Sequence, residues 1–217
     1  MATWGIHFRI ADDLLKHLKK IDREYFIIGS IAPDCGRRVA GGYDPPTEIT
    51  HLAKMWYKKD CDYNYIFENC IKNENELKKR SFFAGYYAHL LTDCLFSSLI
   101  SLPIEEKFGL YRENTGLSKL VKREWYDADY QFFAKNKSPA FEDFKKYRAF
   151  KEDYPSIYKH GEIGKQMKFI VRFYKNKEPE NVAFIYTNKR DFDGFVDNAS
   201  KMILEEMHKN SMINMFN

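Results

Sequence analysis

Residues 81–102 read SFFAGYYAHLLTDCLFSSLISL, an unbroken, largely apolar run that meets Pro103. A helix that is apolar nearly all round is either a membrane span or the central helix of a bundle. Two of its residues decide between these. His89 and Asp93 lie four apart, so an imidazole and a carboxylate sit one above the other on a single helix face. Ionisable groups of this kind are expensive in a bilayer core. The run is therefore expected to be the core helix of a bundle over 76–102, ending at Pro103, with no transmembrane segment.

The rest of the chain is consistent with that expectation. Residues 9–21 place Ile10, Leu14, Leu18 and Ile21 on one face at helical spacing. A second helix is expected from Pro46–Thr47 to about Lys59, with Pro in the first turn. Others are expected at 116–136, 139–152, 156–176 and 191–209, the last capped by Asp191. Residues 22–46 read as irregular, and 181–188 (NVAFIYTN) as a short strand or extended connection. Strands and helices do not alternate, and neither a repeat nor a linker interrupts the 217 residues. The fold class expected is all-α: one multi-helix bundle domain spanning 1–217.

Composition narrows the setting. Hydrophobic residues make up 44% of the chain, which excludes a disordered or collagen-like one. The four cysteines show no CxxC spacing, and the N-terminus has no basic stretch followed by an apolar run. Reduced thiols in a cytoplasmic protein are the expectation. The net charge of +4 is unevenly spread: 14 Lys+Arg stand against 7 Asp+Glu over residues 135–190. That basic stretch is either a solvated surface or a face turned to phosphate. Nucleotide-cradling glycine loops and a serine nucleophile elbow are both missing from the sequence.

Three further residues join His89 and Asp93. Asp34 follows Pro33 in the loop Gly29-Ser30-Ile31-Ala32-Pro33-Asp34, His51 follows Thr50, and His7 precedes the first amphipathic face. Each alone reads as a turn, surface or packing residue. Together they offer three imidazoles and two carboxylates, a set that suits zinc or a similar divalent ion. Arg37 and Arg38, just after Asp34, are candidates for binding substrate phosphate. Cys35 and Cys94, which adjoin the two aspartates, read as buried apolar thiols, and His17 and His208 as structural or surface residues.

The order Trp4…His7, GSIAPD at 29–34, Thr50-His51 and GYYAHLLTD at 85–93 resembles the zinc-dependent phospholipase C family, a relative of the single-strand-specific zinc nucleases. The resemblance covers about the first half of the chain. It implies an all-α fold around a buried metal cluster. Asp34, His51, His89 and Asp93 match the ligands of one zinc, and His7 matches the histidine of a second that shares the carboxylate of Asp93. Asp34 also matches the family's candidate for activating water. The implied activity is hydrolysis of a phosphate ester, as a phospholipase C-like phosphodiesterase in which metal-activated water attacks phosphorus.

The sequence departs from the family in two places. Trp4 is internal, so its nitrogen is an amide, whereas the secreted relatives bind metal through the free amino group of a first-residue Trp. The segment CLFSSLISLPIEEKF after Asp93 contains no histidine, and only His160 and His208 follow. One or two zinc ions are therefore expected, with His160 beside Glu162 as a further candidate ligand. The alternatives are a non-catalytic metal-containing helical module that binds a phosphorylated ligand, and a single-strand nuclease. The partner expected is a phosphate-bearing small molecule or lipid head group.

Overall fold

Thr3 sets the start of the first helix. Its hydroxyl accepts from the Ile6 amide, so α1 runs Trp4–Leu14 rather than 9–21. The computed structural model describes residues 2–53, 58–109, 115–147, 149–152, 154–175 and 177–217. Asp22 caps the next helix, α2 (Arg23–Gly29), inside the stretch expected to be irregular. A side-chain cap ahead of the short apolar run Tyr25–Ile28 is enough to fold it.

A 3-10 turn at Ala32–Asp34 follows, then a small hairpin of β1 (Arg37–Val39) and β2 (Gly42–Asp44). The strands are antiparallel with Arg37 opposite Asp44, and Gly41 supplies the positive φ of the turn. The helix expected to reach Lys59 is only α3 (Thr47–Thr50), since Leu52 takes a left-handed backbone. Residues 54–57 lie outside the described residues. Next, α4 (Tyr63–Ile66) runs into a wide π-turn at Phe67–Ile71.

The central helix, α5 (Leu77–Phe96), passes through a second π-turn at Ser97–Ser101 into α6 (Leu102–Phe108). Pro103 therefore does not stop the chain. The π-turn has already loosened the ladder, and the ring falls in the first turn of α6, where no amide is needed. Five of the remaining expectations meet the structure as follows. α7 (Thr115–Lys135) forms as expected, while α8 (Pro139–Phe144) ends well before 152. α9 (Glu162–Lys175) starts later than expected, and α10 (Lys189–Lys209) is capped by Asn188 instead of Asp191. Residues 181–188 form an irregular connection, bent at 185–187, that pairs with no strand among the described residues. Two carboxylates of α7 hold them instead: Asp127 accepts from the amides of Glu180, Asn181 and Val182, and Glu124 from those of Ile185, Tyr186 and Thr187.

The fold is all-α, with α5 at its centre. By length and composition the helix Leu77–Phe108 could cross a membrane, but 67% of its apolar window is buried inside the fold. Glycines let α2 lie directly on α5. A Cβ on Gly85 would collide with the Phe26 carbonyl, and one on Gly29 with the Phe82 carbonyl. That approach brings the end of α2, and the loop carrying Asp34, against the face of α5 that bears His89 and Asp93.

Candidate metal centre

The five predicted ligands are delivered by four elements. His7 sits one turn into α1, behind the Thr3 cap. That end of α1 is anchored by Asp129, which accepts from the Thr3 hydroxyl at 2.9 Å and from the Tyr174 hydroxyl at 2.7 Å. Tyr174 in turn accepts from the Gly5 amide at 2.9 Å. Asp34 closes the 3-10 turn after Pro33, where the Tyr158 hydroxyl donates to the Ala32 carbonyl at 2.6 Å. His51 ends α3, and the Tyr86 hydroxyl ties the Thr50 carbonyl to α5. His89 and Asp93 come from the middle of α5.

The hydrogen bonds assign the tautomers. His89 Nδ1 lies 2.8 Å from the Ser30 carbonyl, and His51 Nδ1 lies 3.0 Å from the Thr47 carbonyl. A carbonyl only accepts, so both Nδ1 atoms carry the proton and both Nε2 atoms present lone pairs. Those lone pairs face each other at 3.2 Å. Around them stand carboxylate oxygens: Asp34 Oδ1 at 3.3 Å and Asp93 Oδ2 at 3.4 Å from His51 Nε2. The His7 ring stacks on His89 at 3.8 Å with a 7° tilt, its Nε2 3.6 Å from Asp93 Oδ1. That buried Nε2 has no hydrogen-bond partner.

Acceptors crowding one another in a dry interior require a cation among them. Two overlapping ligand groups meet at His89: His7 with Asp34 and His89, and His51 with His89 and Asp93. Imidazole nitrogens whose far N–H is fixed by a backbone carbonyl, together with carboxylate oxygens, are the donors that zinc takes. The residues present therefore fit a zinc ion.

The electrostatics agree. Burial lowers the pKa of His89 well below its ordinary 6.5, helped by the neighbouring His7. Burial also lowers His51, helped by Lys58. Both rings stay neutral and able to ligate. Burial alone would raise Asp93, yet the Lys58 ammonium outweighs it and holds the carboxyl well below its usual range. Asp34 is held low in the same way, by Lys58 against burial. In contrast, burial pushes the Cys35 thiol well up, which keeps it out of the ligand set.

Lys58 is a residue of the cluster that sequence reasoning missed. Its ammonium lies 2.9 Å from Asp93 Oδ2 and 3.9 Å from Asp34 Oδ1, and the residue is 3% exposed. Nothing distinguishes it in the sequence from its neighbour Lys59. The other candidates fall elsewhere. Arg38 lines a cavity of about 440 Å³ that opens beside Asp34, with Trp4, Tyr43, Lys122, Tyr126, Phe169 and Phe173 also on its walls. Arg37 does not line it, because its guanidinium pairs with Asp44 across the hairpin at 3.0 Å. His160 lines a separate cavity with Tyr154 and Pro155. His17 and His208 are exposed. Cys94 lies next to the Cys61 carbonyl.

Residues 6–96 match the family described as zinc dependent phospholipase C. No curated protein and no solved structure matches the chain. The matched segment holds all five ligand candidates, the buried acceptor cluster and the central helix of the all-α fold. Over that segment the chain is similar to the zinc-dependent phospholipase C family.

Proposed function

We propose that this chain is a metal-dependent hydrolase of phosphate esters, a phospholipase C-like phosphodiesterase acting through water activated at the His/Asp cluster. One observation carries the reading. Asp34 is within reach of the ligand cluster and also lines the cavity that holds Arg38 and Lys122. A bound divalent ion supplies Lewis acidity, which polarises a phosphoryl oxygen and lowers the pKa of water.

The chain's own residues do the rest. His7, His51, His89, Asp34 and Asp93 hold the ion, and Asp34 accepts the proton of the attacking water at its carboxylate. Arg38 and Lys122 offset the charge of the phosphate in the cavity. The aromatic walls of Trp4, Tyr126 and Phe173 pack the rest of the ester and exclude bulk water. Four unpaired thiols support a reducing compartment such as the cytoplasm.

A panel of phosphodiesters, phosphomonoesters, phospholipid vesicles and single-stranded nucleic acid, each with added zinc, tests this. Turnover of a phosphate ester that is lost in a folded Asp34→Asn variant is the expected result. Zinc-loaded wild type that turns over nothing would favour a non-catalytic module that binds phosphorylated ligands. Cleavage of single strands would place the chain with the nucleases. Trp125 is buried, so stacking of bases would fall to Tyr126 and Trp4 at the cavity.

A further inference from the structure

We infer that Lys58 is a resident counter-cation that competes with the metal for Asp93 and leaves the cluster when the ion binds. This rests on the metal-centre reading above. The first ground is geometric. Asp93 Oδ2 lies 2.9 Å from the Lys58 ammonium and also 3.4 Å from His51 Nε2 and 3.7 Å from His89 Nε2. The other oxygen, Oδ1, accepts the Ala2 amide at 2.8 Å. An ion bound by the two imidazoles therefore draws on the oxygen that the ammonium holds.

The second ground is charge. Asp34 and Asp93 balance one dication when the histidines are neutral. An ammonium kept beside them would leave a net positive charge in a region where the Lys58 and Asp93 side chains are 4% and 0% exposed. Uncompensated charge in such a place is strongly disfavoured, and the two cations repel at short range.

The third ground is where Lys58 sits. It belongs to no helix or strand, and its backbone is in the left-handed region at φ 56°. The segment is tied at its end, through the Cys61 thiol on the Lys58 carbonyl at 3.0 Å and the Asp62 amide on the Leu52 carbonyl at 3.0 Å. Withdrawal of the side chain needs no helix to unwind, and leaving a left-handed backbone relieves strain. The ammonium so removed comes from beside Asp34, the residue that joins the cluster to the cavity.

Two measurements on the full chain decide it. In metal-free wild type, acylation of amines read by mass spectrometry should leave Lys58 protected, and zinc should raise its labelling several-fold. In zinc titrations followed by calorimetry, Lys58→Met should bind the ion roughly tenfold tighter or more, since a competing charge is gone. Zinc binding with Lys58 labelling unchanged, or with affinity unchanged or weakened in Lys58→Met, would overturn the inference alone. No zinc binding to either protein would overturn the metal-centre reading and this inference together. The labelling arm uses wild type and stands even where the variant does not fold.

Discussion

At the scale of single residues, the centre depends on atoms behind the ligands as much as on the ligands. His51 Nδ1 lies 2.8 Å from the Thr50 hydroxyl as well as 3.0 Å from the Thr47 carbonyl. Partners of this kind fix ring orientation and raise ligand basicity, and losing one costs about 10- to 100-fold in metal affinity. Thr50→Val is expected to weaken zinc binding by about tenfold, at the low end of that range because the Thr47 carbonyl remains. Competition with a chromophoric chelator measures it, and an unchanged affinity would show that the Thr50 hydroxyl does not support the His51 ring. The candidate residues were legible from residue type and order, and the structure brings His7, Asp34, His51, His89 and Asp93 together. Their supports were not. The Ser30 and Thr47 carbonyls carry no side-chain signature, and Lys58 looks like any surface lysine until the fold buries it against Asp93.

At the scale of elements, the contact between α2 and α5 sets the spacing of the cluster. Gly85 lies against both the Phe26 carbonyl and the Ser30 amide, and Ser30 supplies the carbonyl that orients His89. A methyl group there must push the two backbones apart. Gly85→Ala is expected to lower stability by about 2–3 kcal/mol, the usual range for overpacking, and to weaken zinc binding with it. Urea unfolding measures the first effect, and a variant as stable as wild type would show that α2 does not sit on α5 this closely. Element type was readable for long helices such as α5, whose apolar run is unbroken, but not for the short α2 or the β1–β2 hairpin, which lie in the stretch read as irregular. Element ends were not. They turn on local devices such as the Thr3 and Asn188 caps, the left-handed Leu52 and the π-turn before Pro103, each of which overrides the periodic signal.

At the scale of the whole molecule, the buried site ties folding to pH. His51 and His89 have pKa values depressed below 6.5, so below that pH the unfolded chain takes up protons that the folded chain refuses. Stability from these two groups is present above pH 6.5 and is lost as pH falls below it. Asp129 acts in the opposite sense. Burial raises its pKa from 3.8 to about 6 in spite of the Tyr174 and Thr3 hydrogen bonds, so it contributes stability as pH falls from about 6 toward 3.8. Metal-free protein is expected to lose stability on acidification from pH 7 to 5, and Asp129→Asn to lose it more steeply. Thermal melts across that range check both, and a flat profile in the two proteins would contradict the buried neutral histidines. The all-α class followed from the run at 81–102 and from the absence of strand alternation. The irregular connection 181–188 did not, because it is held by Glu124 and Asp127 from a distant helix.

The central claim is that the His/Asp cluster on α1, α3 and α5 is a metal centre. Its most direct test is the zinc content of chain purified with zinc present, by mass spectrometry, for wild type beside His89→Ala. His89 belongs to both ligand groups, so its loss removes a donor from each. Wild type should carry one or two zinc ions per chain, and a folded His89→Ala should fall to background. Equal zinc content in the two proteins, whether high or low, would contradict the account.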